Sequence, residues 1–226
     1  HATGIVHISR AVQEALHNDY LFSNQEIVLH SAAETPKAPA IKDWANCARH
    51  IVYAGSFFSW KGVDDLIDAA AELPGYRMLL IGGEAAEIER LRARITPAGA
   101  EVVLLPRMSS SQALEYLQEA CIAVLPNRAE GVSHFTSPLK LFEYMGAGCA
   151  VVAADLPSIR EVLGEDEGRW FSPGSPAALA EAIRSLGEAP ELARSCGAAA
   201  AVKAGEYTWL GRAEALRRFI DSLLKV

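Results

Sequence analysis

The sequence predicts an α/β fold: a doubly wound, Rossmann-like parallel sheet of about six strands with helices on both faces. From residue 49 onwards, short and continuously apolar segments alternate with segments in which apolar residues recur with helical periodicity. Strands that are apolar along their whole length are typical of a parallel sheet that is covered on both sides. In such sheets, ligands bind beyond the carboxyl ends of the strands, near the point where the strand order switches.

Six apolar segments are predicted as strands, at residues 50–54, 76–81, 102–105, 122–125, 150–153 and 169–171. Helices are predicted between these strands and in the C-terminal part of the chain. After the first strand, apolar residues recur at the spacing of one helix face, at positions 63, 66, 67 and 70. The same criterion predicts C-terminal helices around residues 179–186 and 216–223.

The N-terminal part of the chain does not follow this alternation. Residues 1–30 contain one predicted helix between two predicted strands. Residues 31–48 are polar, contain Pro36 and Pro39, and are predicted as a linker. The main domain is predicted at residues 49–226. Because a single strand–helix unit is too small for a core of its own, we expect it to be the remnant of a preceding N-terminal domain and to pack poorly.

Composition excludes several classes of function. The formal net charge is −7, which argues against a nucleic-acid partner. No apolar run approaches the roughly 20 residues of a membrane-spanning helix, and no secretory signal is visible. The four cysteines, at positions 47, 121, 149 and 196, form no close pair and have no metal-like spacing. We therefore expect no disulfide and no metal site, and a cytoplasmic location.

The most informative segment lies between the fourth and fifth predicted strands. Ser137 and Pro138 lead into a predicted helix that carries Lys140 and Glu143. The first turn of a helix presents free backbone N–H groups and the positive end of its dipole, which suits a phosphate. A spacing of three residues places Lys140 and Glu143 on one helix face. Since the ammonium can add charge at the phosphates and the carboxylate can accept sugar hydroxyls, the segment suggests a nucleotide-sugar site.

Three motifs carry a resemblance to a known family. They are GSFFSWKG at 55–62 followed by LIDA at 66–69, SPLKLFEYM at 137–145, and LPSIREV at 156–162. Through them the chain resembles glycosyltransferase family 4, in its C-terminal, donor-binding domain of GT-B type. The resemblance implies one half of a GT-B fold that binds a nucleotide-diphosphate sugar of UDP or GDP type. It also implies transfer with retention of anomeric configuration, without a metal or other cofactor.

The resemblance implies the residues of the site. Lys61 is implied as a phosphate ligand that stabilises the diphosphate leaving group, and Glu143 as the carboxylate that binds the ribose. These two are the predicted catalytic residues. The remaining predicted donor-binding residues are Gly55, Ser56, Pro106, Arg107, Ser137, Pro138, Leu139 and Lys140. The base is expected between the loops after residues 81 and 105, held partly by backbone groups of Pro106 and Arg107.

Two positions depart from the family pattern. Ser56 stands where the family usually has an arginine, and Phe135 stands where it has a second glutamate. A hydroxyl cannot replace a bidentate guanidinium, so Arg128 or Arg107 is considered as a compensating cation. Backbone N–H groups beside Phe135 are considered in place of the second glutamate. His134, next to the motif, is interpreted either as a loop histidine near the donor or as incidental.

Three other functions remain alternatives. A dinucleotide-binding oxidoreductase would need a glycine-rich turn after its first strand, and neither GSFF at 55–58 nor GGEA at 82–85 is one. A nucleotide-sugar epimerase half would need carboxylates facing the sugar. A non-catalytic nucleotide-sugar-binding module needs no acceptor domain. The acidic pair Asp64 and Asp65 is interpreted only as helix N-terminal charge.

The resemblance also implies partners. A carbohydrate or lipid-linked acceptor is expected to bind a missing N-terminal domain, so the isolated chain is expected to bind a donor while transferring little or no sugar. A lipid-linked acceptor would bring the full-length protein to a membrane surface as a peripheral protein.

Overall fold

The computed structural model of the chain describes residues 2–34, 41–130, 135 and 137–224. Within these residues, eight strands form two parallel sheets, one of two strands and one of six. The strands are β1 (Gly4–His7), β2 (Gln25–Val28), β3 (His50–Ala54), β4 (Arg77–Gly83), β5 (Glu101–Pro106), β6 (Ile122–Leu125), β7 (Ala150–Ala154) and β8 (Gly168–Phe171).

Ten α-helices lie among the described residues, together with a short 3-10 helix at Ser59–Lys61. The α-helices are α1 (Arg10–Asp19), α2 (Trp44–Cys47), α3 (Val63–Ala70), α4 (Ala85–Arg92), α5 (Ser110–Glu119), α6 (Leu139–Gly146), α7 (Pro157–Arg160), α8 (Pro176–Gly187), α9 (Pro190–Ala204) and α10 (Trp209–Leu223).

The six-stranded sheet has the order β5-β4-β3-β6-β7-β8, and all its neighbouring strands are parallel. These six strands correspond to the six predicted from the sequence, and the predicted fold class is confirmed. The chain winds outward from β3 through β4 to β5, then crosses back to β6 on the other side of β3. The strand order therefore switches between β3 and β6, which opens a crevice at their carboxyl ends.

Helix α9 was not predicted from the sequence. Its sequence is rich in alanine and lacks the large, regularly spaced apolar residues that reveal an amphipathic helix. The helix instead buries small residues, among them Ala193, Ala200 and Ala204. A Cβ added at Gly197 would lie 2.5 Å from the carbonyl oxygen of Gly148, so close backbone packing replaces large side chains here.

The prediction that the N-terminal unit packs poorly is wrong. Glu161, just after α7, accepts hydrogen bonds from the backbone N–H groups of Arg10 (2.6 Å) and Ala11 (2.8 Å). The side chain of Ser9 caps the same helix end through the N–H of Val12. Because a carboxylate at a helix N-terminus satisfies unpaired amides and opposes the helix dipole, this contact anchors α1 on the main domain.

The segment predicted as a linker is partly buried. Lys42 is 9% exposed, and its ammonium donates hydrogen bonds to the carbonyl groups of Leu117, Gln118 and Ala120, at the C-terminal end of α5. A cation at this position complements the negative end of the helix dipole and satisfies carbonyl groups that have no helical partner.

The expectation that the chain has no disulfide is also wrong. Cys47 of α2 is bonded to Cys121 at the start of β6, with a Cα–Cα distance of 5.4 Å. The two residues are 74 positions apart in sequence, so only the fold brings them together. Cys149 and Cys196 are buried free thiols, as their apolar surroundings predict.

We expect Glu161→Ala to loosen α1 without unfolding the main domain. Two charge-assisted hydrogen bonds are lost, each of which contributes about 1.5–3 kcal/mol. The measurement is native-state hydrogen exchange, which should accelerate at least about tenfold for the amides of the first turn of α1. The exposed Glu165, which pairs with Arg160, provides the control variant Glu165→Ala. Equal exchange of α1 amides in both variants would contradict the anchoring role.

Candidate functional site

A cavity of about 260 Å³ lies at the carboxyl ends of β3 and β6, where the strand order switches. It brings together six of the predicted site residues: Gly55, Ser56, Lys61, Pro138, Leu139 and Lys140. These residues come from two segments far apart in sequence, the loop after β3 and the start of α6. Their meeting follows from the sheet order, since β3 and β6 are neighbours and α6 follows β6.

The hydroxyl of Tyr144 fixes α6 against the end of β3. This hydroxyl accepts a hydrogen bond from the backbone N–H of Ala54 (2.8 Å) and donates one to its carbonyl oxygen (3.1 Å). Tyr144 is fully buried, and burial raises the pKa of its hydroxyl well above the usual range, so it stays protonated. Because Lys140 lies one helical turn before Tyr144, this contact positions Lys140 relative to the loop after β3.

The loop after β3 is held by its own hydrogen bonds. The N–H of Gly55 donates to the carbonyl oxygen of Ile81 in β4 (2.9 Å), and the hydroxyl of Tyr53 donates to the carbonyl oxygen of Ser56 (2.7 Å). A Cβ added at Gly55 would lie 2.8 Å from the Tyr53 hydroxyl oxygen. Glycine at this position therefore lets the loop close over Tyr53 and present its backbone to the cavity.

Lys61 is the last residue of the 3-10 helix that follows this loop. Its ammonium lies over the ring of Trp60, 4.0 Å from the ring centroid. The pKa of Lys61 is lowered from 10.5 to about 8, first by burial and second by the positive charge of Lys140. Two cations thus act on the same cavity, and an anion placed between them would relieve the repulsion.

A tight contact positions the loop after β6 against the start of α3. Gly62 has a φ of 71°, and a Cβ at this residue would lie 1.7 Å from the carbonyl oxygen of Pro126. The N–H of Arg128 donates to the carbonyl oxygen of Trp60 (3.0 Å). The residue between these two contacts, Asn127, is buried and lines the cavity, and it was not singled out from the sequence.

Glu143 lines a second cavity, of about 330 Å³, beside the first. Leu139 lines both cavities. One oxygen of the Glu143 carboxylate, Oε2, accepts a hydrogen bond from the Lys140 ammonium (2.7 Å), and the side chain of Glu143 is 24% exposed. The carboxylate is therefore neither enclosed in the core nor turned away from a cleft, and it lies one helical turn from the cation of the first cavity.

Ser137 is buried, and its hydroxyl has a structural role. Its Oγ accepts a hydrogen bond from the backbone N–H of Ser31 (3.0 Å), so it ties the N-terminal segment to the start of α6. Beside it, the carbonyl oxygen of Phe135 accepts a hydrogen bond from the hydroxyl of Ser9. Both contacts add to the packing of the N-terminal unit on the main domain. His134 lies outside the described residues.

The structure does not bring Pro106 and Arg107 to either cavity. Both follow β5, which is the edge strand and is separated from β3 by β4. Arg128 does not serve as a spare cation, because its guanidinium forms two hydrogen bonds with the buried carboxylate of Asp65 (2.6 and 2.8 Å). Asp65 is thus the partner of a buried ion pair, and the interpretation as helix N-terminal charge alone is wrong.

Two further searches cover the described residues. No group of three or more His, Cys, Asp or Glu side chains there is arranged to hold a metal ion. Among the same residues, none of the helices combines the length and the apolar character needed to cross a lipid bilayer.

Sequence comparison identifies the family. Residues 35–203 match the family described as Glycosyl transferases group 1, and this match covers most of the chain. The chain belongs to this family. No significant match was found among curated protein sequences.

Solved structures of GT-B glycosyltransferases share the fold. Sucrose-phosphate synthase from Thermosynechococcus elongatus superposes with a TM-score of 0.83 at 21% identity, over 100% of this chain and 59% of that one. HepE from Anabaena, in complex with UDP and glucose, gives 0.81 at 18% identity, over 98% and 64%. The lipopolysaccharide outer core galactosyltransferase WaaB gives 0.79 at 17% identity, over 98% and 62%. The chain therefore spans about three fifths of the length of these proteins.

Replacing Lys61 with Met should stabilise the ligand-free protein at neutral pH. The lowered pKa means that the folded state disfavours the ammonium, and this cost is fully present below about pH 8. In the wild type the cost is relieved as pH rises from about 8 to 10.5, since the unfolded chain then binds more protons than the folded one. Urea unfolding at several pH values measures the difference.

The advantage of Lys61→Met should be largest below about pH 8 and should shrink above it. Lys203→Met provides a comparison, since Lys203 pairs with Glu167 away from the cavity. A pH-independent difference between wild type and Lys61→Met would show that Lys61 has an ordinary pKa.

Proposed function

We propose that this chain is the donor-binding domain of a retaining glycosyltransferase. Its donor is a nucleotide-diphosphate sugar of UDP or GDP type, and it transfers a hexosyl group. Membership of the Glycosyl transferases group 1 family supports the general activity. The observation that carries the more specific assignment is the cavity where Lys61, Lys140 and the loop after β3 meet at the switch in strand order.

In this proposal Lys61 and Lys140 bind the diphosphate. Departure of a nucleoside diphosphate leaves negative charge on the phosphate oxygens, and cations fixed beside them stabilise the transition state. The start of α6 adds the positive end of a helix dipole, and no side chain caps this helix. The backbone of Gly55 and Ser56 lines the opposite wall of the same cavity.

Glu143 binds the ribose. Its Oε2 is engaged by Lys140, while none of the described residues donates a hydrogen bond to Oε1. This oxygen can accept hydrogen bonds from the two ribose hydroxyls in the second cavity. The sharing of Leu139 by both cavities supports a ligand that passes from one to the other, with the diphosphate beside Lys61 and the nucleoside beside Glu143.

The base is assigned to the side of the site near β4 and β5, where backbone groups of Pro106 and Arg107 would contact it. Since these residues line neither cavity in the ligand-free structure, this part of the proposal rests on the family resemblance. Ser137 and Pro138 position the start of α6, and the hydroxyl of Ser137 acts through its bond to Ser31.

The acceptor, a carbohydrate or a lipid-linked sugar, is proposed to bind a further, N-terminal domain. The chain's coverage of 59–64% of the length of its structural relatives supports this division. The reaction is proposed to need no metal or other cofactor. A cytoplasmic location and peripheral membrane association remain parts of the proposal. The Cys47–Cys121 bond removes one reason for the cytoplasm, because disulfides are rare in a reducing compartment.

Calorimetric titration of the 226-residue chain with UDP and GDP tests the proposal. Glu143→Ala should weaken binding of the preferred nucleotide several-fold, because ribose hydroxyls lose a charged acceptor worth about 1.5–3 kcal/mol. Glu115→Ala, at an exposed glutamate of α5, is the matched control and should bind normally. Equal affinities of the two variants would remove the ribose assignment.

Binding of the diphosphate should weaken as pH rises through about 8, the pKa of Lys61 in the ligand-free protein. A bound diphosphate raises that pKa, so binding above it requires uptake of a proton and loses up to about tenfold per pH unit. The terminal phosphate of the nucleotide titrates near pH 6 and contributes little in this range.

The measurement is the dissociation constant of the preferred nucleoside diphosphate between about pH 7 and 9, in wild type and Lys61→Ala. The variant should bind more weakly at pH 7 and show a flatter profile. It should also retain most of its affinity for the nucleoside without phosphates. If wild type and variant have parallel profiles, Lys61 does not contact the diphosphate.

A further inference from the structure

Asn127 is a buried polar residue at the base of the first cavity. It is the second residue after β6, is 1% exposed, and lines the cavity together with Lys61 and Lys140. Its position follows from the topology, because the carboxyl end of β6 faces the crevice at the switch in strand order.

The carboxamide nitrogen of Asn127 has no hydrogen-bond partner within the protein. Buried polar atoms are paired in the large majority of cases, because an unpaired donor loses its hydration without compensation. A donor that is kept unpaired beside a cavity points to a partner outside the chain, in a ligand that fills the cavity.

Asn127 is also held in place on both sides. The carbonyl oxygen of Pro126 packs against Gly62, and the N–H of Arg128 donates to the carbonyl oxygen of Trp60. The backbone of Asn127 therefore has little freedom to turn the side chain out to water. Such a fixed donor requires no reorganisation when a ligand binds.

The charges around the cavity indicate which ligand group Asn127 meets. Two of the described residues that line it are charged, Lys61 and Lys140, and none is acidic. Glu143, which pairs with Lys140, lines the neighbouring cavity. A hydrogen-bond acceptor in this place is therefore favoured if it is anionic.

We infer that Asn127 is a donor-binding residue whose carboxamide N–H donates a hydrogen bond to an oxygen of the diphosphate. This inference rests on the proposed function and adds a neutral ligand to the two lysines. The carboxamide supplies a hydrogen bond without a third positive charge in a cavity where two ammonium groups already repel each other.

Asn127→Leu tests the inference. Leucine has nearly the shape of asparagine but no donor, so diphosphate affinity should fall about 10- to 100-fold, as expected for a lost hydrogen bond to a charged group. The melting temperature should stay the same or rise, because an unpaired buried amide is replaced by an apolar group. A loss of binding without a loss of stability separates a ligand contact from a structural role.

Asn127→Asp distinguishes a phosphate from a hydroxyl. A carboxylate repels the diphosphate, whereas it would accept a hydrogen bond from a sugar hydroxyl. We expect Asn127→Asp to bind UDP or GDP at least as weakly as Asn127→Leu, and both to retain most of the affinity for the free nucleoside. Asn18→Asp, at an exposed position in α1, carries the same change of charge and should bind normally.

Each outcome of the titrations has a distinct meaning. If wild type binds no nucleoside diphosphate, the proposed function fails and the inference fails with it. If wild type binds but Asn127→Leu binds within about twofold of it, less than the loss of one hydrogen bond, only the inference fails. Wild-type affinity in a folded Asn127→Asp variant would likewise rule out the phosphate contact.

Discussion

The hydroxyl of Tyr144 is the interaction on which the candidate site depends. It is buried in the core and makes two hydrogen bonds to the backbone of Ala54, the last residue of β3. The strand and the helix it joins carry the two halves of the first cavity. Since a lost hydrogen bond at a buried backbone group costs about 1–3 kcal/mol, this contact sets the distance between Lys61 and Lys140 firmly. The sheet supplies the crevice, and Tyr144 determines its width.

A site fixed in this way holds electrostatic strain before any ligand arrives. Burial and the charge of Lys140 disfavour the ammonium of Lys61, and the carboxamide nitrogen of Asn127 has no partner in the chain. Both features cost stability in the free protein and are relieved by an anion with hydrogen-bond acceptors. The protein tolerates this cost because its neighbouring charges are well paired, as in the buried ion pair between Asp65 and Arg128.

The fold could be predicted from the sequence because its signals are local. Continuous apolar segments revealed all six strands of the main sheet, and Lys61 and Lys140 could be found because both follow the ends of such strands. Other features depend on contacts between distant parts of the chain. Glu161 caps a helix that begins about 150 positions earlier, and Asp65 pairs with a residue 63 positions later. Periodicity and spacing carry no information about such partners.

Asn127 shows the same limit within the site. Its sequence context, a proline and an asparagine after an apolar strand, is typical of an ordinary turn. Only its burial, its unpaired nitrogen and its place beside two lysines distinguish it from such a residue. Helix α9 was missed for a different reason, because its small buried residues give no amphipathic pattern.

The departure at Ser56 gains a physical meaning from these contacts. Arg128 is committed to Asp65 and Arg107 lines neither cavity, so the described cations that face the first cavity are both lysines. A guanidinium stays charged at any pH that a protein tolerates and binds two phosphate oxygens in a fixed geometry. A lysine is a single point of charge whose pKa falls when it is buried, as that of Lys61 does. A diphosphate held by lysines alone would be positioned loosely, and a neutral, immobile donor such as Asn127 supplies the directional hydrogen bond that the missing arginine would have made.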